Sequence, residues 1–334
     1  MKPNAPDPAE SFRDDALSRV LRTARDVLRS GGTCTFGVIT EARGSTPQVA
    51  GAMILVRDDG TFVGTVGGGI VEATLLRDAE TVRAAKTGCS ITYDLTHVRG
   101  ESIGAVCGGF MDIALIPLDA RDDGLLSQFE RICDDRHAGR ASTLELPLRD
   151  AAGMSVELSI GGPPALIIIG AGHCGHALAE LCATLDFDVT IVDDRAELAA
   201  PERFPPNIAV HAGDPAAFLS EVAIDASTAI AVVTRGHQQD YEALRAALAT
   251  PASYIGLIGS RRKSGMIFRD LRADGFSEDT LATVRTPIGI DIGAETVREI
   301  AVSIAAELIR HRRRSRDVLV TVHQPATAPQ PSRS

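Results

Sequence analysis

The chain has 334 residues, long enough for two domains, with 44% apolar residues, 4% aromatics and no Trp, so Val, Ile, Leu and Ala must fill its cores. A formal charge of −10 excludes general electrostatic attraction to nucleic acid, and no apolar run is long enough to span a bilayer. With no N-terminal segment resembling a signal peptide, the expectation is a soluble, cytoplasmic protein.

Residues 1–9 are Pro-rich and expected to be loose. Leu17, Val20, Leu21, Ala24 and Leu28 recur at helical spacing and predict an amphipathic helix over 11–28, ending before Gly31-Gly32. Strand patterns follow at 34–40, 52–56 and 61–66, and a glycine run then opens a helix over 70–86. Further strands are expected at 90–95 and 110–116, a helix at 125–136, and short strands at 142–146 and 155–158. Gly161-Gly162-Pro163-Pro164 breaks the pattern and marks a domain boundary. Beyond it, strands at 165–169, 189–192, 207–211, 228–233 and 254–258 alternate with helices near 174–185, 215–222, 240–249 and 261–273. Such alternation means right-handed crossovers and a parallel sheet covered on both faces. A last helix is expected over 294–313, with its basic end suited to the helix dipole. The expected architecture is α/β. A smaller N-terminal α+β domain covers 1–160, a Rossmann-like, doubly wound parallel sheet covers 161–323, and a disordered tail covers 324–334.

The most informative motif is Gly170-Ala-Gly172-His173-Cys-Gly175, which follows an apolar strand and opens a helix. A strand feeding a glycine turn aims free N–H groups and the positive end of a helix at an anion, which predicts a phosphate cradle. Asp193, at the end of the next strand, is placed to accept from a ribose hydroxyl. Arg195, just past it, suits either a local salt bridge or an extra phosphate.

In the first half, Gly44-Ser45-Thr46-Pro47 reads as a turn held by its own hydroxyls, or as a binder of phosphate or carbonyl groups. Gly67-Gly68-Gly69 is a candidate anion nest, and Glu72 in the helix it opens suits either the helix dipole or a ligand contact. Cys107-Gly-Gly109 presents a sterically open thiol of the kind that coordinates soft metals or passes on sulfur, against the plain alternative of a buried space-filler. The six cysteines include no Cys-x-x-Cys pair, which argues against a disulfide framework and a structural zinc site. In the second half, Arg235 and His237 follow one strand and Ser260, Arg261, Arg262 and Lys263 follow another, both at the strand ends that border a ligand crevice, where the three cations suit either a phosphate clamp or a solvated patch. Asp240 is read as the cap of the helix after His237.

In this order the motifs, together with Pro287–Ala294, resemble the XdhC/CoxI family of molybdenum hydroxylase accessory proteins, and the likeness runs over nearly the whole chain. The resemblance implies a non-enzymatic chaperone that binds the molybdenum cofactor (molybdopterin), supports its sulfuration and delivers it to an apo-molybdenum hydroxylase such as xanthine dehydrogenase. It implies a cysteine desulfurase as sulfur donor and a homodimer, and within such a carrier the open, glycine-flanked thiol of Cys107 is expected to contact molybdenum or relay sulfur. A separate nucleotide at the Gly170–Gly175 turn stays open. Two rivals rest on the fold alone: an NAD(P)-dependent oxidoreductase and a nucleotide-sensing module.

Overall fold

The structure is a computed structural model that describes residues 15–95, 108–150, 152–313 and 318–324. Its chain divides into two compact units, Asp15–Gly162 with the strand Val318–His323, and residues 163–313. The break falls inside the Gly-Gly-Pro-Pro stretch.

The first unit is built on an antiparallel sheet ordered β3-β2-β1-β5-β4, from β1 (Thr33–Arg43), β2 (Met53–Arg57), β3 (Phe62–Gly64), β4 (Cys89–Asp94) and β5 (Phe110–Asp119). Alternation along the central strands explains its burial on both faces. Cys34, Phe36 and Val38 of β1 and Ala114, Ile116 and Leu118 of β5 join a core with α1 (Ala16–Arg29) and α3 (Leu125–His137). That core also takes in a small sheet ordered β13-β7-β6, from β6 (Ser142–Pro147), β7 (Ser155–Ile160) and β13 (Val318–His323). The opposite residues, Ile39, Met111, Ile113 and Leu115, pack with α2 (Gly69–Ala85) through Val71, Leu75, Ala79 and Val82. Arg136, nearly fully buried, ties this unit together: it donates to Asp15 at 2.5 Å, to Ser18 at 3.0 Å and to the carbonyl of Gly161 at 2.6 Å.

The second unit is a parallel sheet ordered β10-β9-β8-β11-β12, from β8 (Ala165–Ile169), β9 (Asp188–Asp193), β10 (Ile208–Ala212), β11 (Thr228–Val232) and β12 (Tyr254–Leu257). Its first strand is central, so the chain winds outward in both directions and the order reverses between β8 and β11. One face is covered by α4 (His173–Ala183) and α9 (Val297–Arg312). The other is covered by α5 (Pro215–Glu221), α6 (His237–Leu248), α7 (Arg261–Ala273) and α8 (Glu278–Ala282). The Pro287–Ala294 segment is pinned to α9, where the buried Glu307 accepts from Gly289 N at 2.7 Å and from the Tyr254 hydroxyl at 2.9 Å. The basic end of α9 is occupied: Arg310 pairs with Glu307 at 3.1 Å, and Arg312 lies over the Phe187 ring at 4.9 Å.

The expected elements form, with differences at their ends. The helix expected from 240 begins at His237, with Gly236 as its N-cap, so Asp240 is not the cap. The short α8 and the strand β13 are additional to the expected elements, and β13 takes 318–323 out of the parallel-sheet unit by pairing antiparallel with β7. Of the expected tail, 325–334 lies outside the described residues, as do 1–14, which include the start of the helix expected from 11. Among the described residues no helix is long and apolar enough to cross a membrane.

Candidate functional site

In the first unit, motifs far apart in sequence meet. A side chain built on Gly44 would touch Gly109 Cα at 3.1 Å and Gly108 O at 3.2 Å, and one on Gly67 would strike Pro47 at 2.4 Å. The Gly44–Pro47 loop is therefore flanked by the Gly67–Gly69 run on one side and by Gly108-Gly109 on the other. Gly67, Gly68 and Gly69 all adopt positive φ (132°, 73° and 59°), a sequence of conformations that side chains would resist. This run delivers the chain into α2 without a side-chain cap, and the space beside Gly68 and Gly69 is open. The first-turn N–H groups of α2 thus stand without a capping side chain at the positive end of a 17-residue helix. Glu72 is engaged locally, accepting from the Thr65 hydroxyl at 2.7 Å, while Thr65 in turn accepts from Gly67 N at 3.1 Å. Thr46 donates to the carbonyl of Gln48 at 2.8 Å and holds the loop turned, and Ser45 is exposed.

Cys107 lies outside the described residues, but its neighbour Gly108 belongs to this locus, bonded through its N–H to Leu95 O at 2.9 Å. Burial pushes up the thiols of all five described cysteines, Cys34 and Cys182 to about 12, and Cys89, Cys133 and Cys174 in the same direction. None of these five is a ready thiolate at neutral pH. Among the described residues no group of three His, Cys, Asp or Glu side chains is arranged to hold a metal ion.

The second locus is the carboxyl edge of the parallel sheet. Gly170 leaves β8 with φ +112° and its N–H bonded to Val192 O at 2.8 Å, and Gly172 caps α4 with no side-chain bond. Gly175 packs the first turn of α4 onto the strand so closely that a Cβ would lie 1.8 Å from Gly170 O. Cys174 is half-buried beside this core, and His173 is exposed at the turn.

A small crevice of about 70 Å³ opens here, lined by Gly170, Asp193, Asp194, Arg195, Thr234 and Arg235 among others, and is well below the roughly 300–1,000 Å³ of closed small-molecule sites. Asp193 is buried and does not present a free carboxylate to it. One oxygen accepts from Arg195 N at 3.0 Å and Arg195 Nε at 2.8 Å; the other accepts from Ala171 N at 2.6 Å and Arg195 Nη2 at 2.8 Å. A carboxylate offers about four lone-pair sites, so the expected ribose contact has none left. Burial alone would push this carboxyl up, but the Arg195 guanidinium and the two amides outweigh it and hold it at about 2. Arg195 forms the local salt bridge, and Arg235 reaches Asp194 at 3.2 Å.

His237 opens α6 and bonds Asp270 of α7 at 3.1 Å, and Ser260 caps α7 by accepting from Lys263 N at 3.3 Å, with Arg261 exposed beside it. His237, Ser260 and Arg261 lie outside the crevice. One pair was missed: Asp240, fully buried, accepts from the Thr234 hydroxyl at 2.5 Å and forms an ion pair with Lys263. Helical spacing carried a signal for it, because Asp240 is in register with the buried Ala243, Leu244 and Ala247 of α6.

Residues 166–308 match the family model of the XdhC Rossmann domain, and residues 27–94 match that of the XdhC and CoxI family. The chain belongs to the XdhC/CoxI family. Among curated relatives, the uncharacterized protein YqeB of Escherichia coli is 31% identical over 83% of this chain, which spans only 43% of YqeB's length. A Bacillus subtilis protein, named as a probable subunit of xanthine dehydrogenase, is 26% identical, over 86% of this chain and 96% of its own. The molybdenum cofactor insertion chaperone PaoD of Escherichia coli is also 26% identical, over 90% of each chain. A crystal structure of a xanthine dehydrogenase from Bacillus halodurans shares the fold, with a TM-score of 0.72 and 22% identity over 92% of this chain and 98% of that one.

Proposed function

We propose that this chain is a molybdenum cofactor chaperone: it binds the cofactor, supports its sulfuration and hands it to an apo-molybdenum hydroxylase of the xanthine dehydrogenase kind. The carrying observation is the convergence of the Gly44–Pro47, Gly67–Gly69 and Gly108-Gly109 loops on one open, donor-rich locus. PaoD, a relative named as an insertion chaperone and aligned over 90% of each chain, supports the same reading. Molybdopterin carries a phosphate, which suits uncapped helix N-termini such as those of α2 and α4. Its molybdenum–sulfur centre favours a soft ligand, a role that suits the glycine-flanked thiol of Cys107. A cysteine desulfurase supplies the sulfur, and the chain works as a homodimer in the cytoplasm. On this reading the protein carries its cargo without turnover of its own.

The saturation of Asp193 argues against a dehydrogenase, which relies on an acidic residue at that strand end for the ribose. The test is mass spectrometry of the full chain after incubation with released molybdenum cofactor, scoring molybdenum, pterin and nucleotide, followed by activation of an apo-hydroxylase. Retained metal and pterin with restored hydroxylase activity is the expected result. A chain that retains neither, yet oxidises or reduces a soluble substrate with NAD(P), overturns the reading. For Cys107→Ala the expectation is loss of hydroxylase activation; cofactor binding and activation equal to wild type would remove the cysteine from the mechanism.

A further inference from the structure

We infer that Asp240 is a positioning residue that presents the Lys263 ammonium to a phosphoryl group of the ligand at the carboxyl edge of the parallel sheet. The inference deepens the carrier reading and rests on it for the identity of the ligand. It begins from an energetic oddity. Asp240 is fully buried, while its cationic partner Lys263 keeps 31% of its side chain exposed. A buried carboxylate is costly to desolvate, and a pair of this kind is weak evidence for stability as such. Such a pair does, however, fix where the cation sits.

Lys263 sits in the first turn of α7 past the end of β12, at the carboxyl edge of the sheet but outside the residues that line the crevice. Thr234, which lines the crevice, donates to Asp240 at 2.5 Å, and its Cα lies 3.1 Å from where a Gly170 side chain would begin. Contacts thus run in sequence from the glycine turn to Thr234, to Asp240 and to Lys263, across the reversal point between β8 and β11 and onto the end of β12. Gly259 keeps the path clear. A Cβ there would crowd Lys263 Cδ at 3.2 Å, so the missing side chain lets the lysine lie back across the strand end. An ammonium has three donors, and Asp240 occupies one of them here.

The charge around Lys263 points the same way. Arg261, Arg262 and Lys263 are the first three residues of α7, whose first turn has no acidic side chain. Cations repel the positive end of a helix dipole, and Arg261 and Arg262 are exposed with no ion-pair partner among the described residues. Their arrangement suits an anion arriving from solution. A phosphoryl group is the fitting class, because charge-assisted N–H bonds from a lysine and from helix amides act on the same oxygens. Two sources share that chemistry: the pterin phosphate of the cargo, and the phosphates of a separate nucleotide.

The test uses the full chain and calorimetric titration at low salt with inorganic pyrophosphate, ADP and released molybdenum cofactor. Because Lys263→Met alone strands a buried charge, the informative variant is the double substitution D240N/K263M, with Lys263→Arg as the conservative rescue and thermal unfolding as the control for folding. The expected result is an affinity for pyrophosphate about tenfold or more weaker in the double variant. Lys263→Arg should recover most of that loss, and the ligand-free unfolding temperature of the double variant should stay near wild type. Undiminished pyrophosphate binding by the double variant reduces the pair to a clamp between α6 and α7 and overturns the inference, as does a wild-type chain that binds none of the three. If the cofactor binds wild type and double variant alike, the Lys263 assignment fails while the carrier reading stands. If ADP and pyrophosphate depend on Lys263 while the cofactor binds neither chain, the carrier reading fails and the assignment stands for a nucleotide.

Discussion

Asp193 holds the glycine turn by accepting from Ala171 N, and its substitution tests that role. Replacing it with Asn leaves Arg195 and Ala171 N with a neutral, geometrically poorer acceptor, and charge-assisted bonds of this type are worth about 2 kcal/mol. The sign with pH follows from the low carboxyl value. Its contribution is complete above the ordinary carboxyl range near 4 and disappears as pH falls through about 2. Urea unfolding should therefore separate Asp193→Asn from wild type by about 2 kcal/mol at pH 7 and much less at pH 2. Gly175 makes a second prediction. In most helices Gly→Ala stabilises by about 1 kcal/mol, but here the methyl would meet Gly170 O at 1.8 Å. Gly175→Ala should instead lower stability by about 3 kcal/mol, measured by chemical unfolding. The motif's glycines were legible in the sequence, whereas the four donors around Asp193 were not, because three of them come from Arg195 curling back two residues.

Among the elements, α1 and α3 are joined by charge as well as by packing. Arg136, at 5% exposure, bonds Asp15, Ser18 and Gly161 O. Arg136→Met leaves one oxygen of Asp15 and the Gly161 carbonyl without their Arg136 donor, although the other oxygen still accepts from Ser18 N, and should cost about 3 kcal/mol in the unfolding of the first unit. The strand β13 is equally testable. It covers the edge of β7 from Ser155 to Ile160 and buries Val318 against the first core. Ending the chain at Arg313 should speed amide hydrogen exchange in β7 and raise the tendency to aggregate, since an uncovered edge invites foreign strands. Periodicity found the long elements because each buries a continuous stripe. It overlooked α8, whose five residues are too few for a stripe, and β13, whose partner lies about 160 positions earlier.

Each of the two units has its own cores: one pair shared among α1, α2, α3 and the antiparallel strands, the other on the two faces of the parallel sheet. A fragment of residues 163–313 should therefore unfold cooperatively by itself, followed by circular dichroism in urea. A fragment of 15–162 lacks β13 and should be the less stable until a peptide spanning 318–324 is added back. Local chemistry alone had already determined the strand and helix succession, the break at Gly161–Pro164 and the glycine turns, because periodicity, turn residues and caps act over a few positions. Tertiary structure decided what those pieces do together. It gathered the Gly44, Gly67 and Gly108 loops, filled every lone pair of Asp193, buried Asp240 against Lys263 and returned the last strand to the first unit. Such outcomes depend on distances between atoms remote along the chain, and burial then fixes which charges stay paired and which remain open to a ligand.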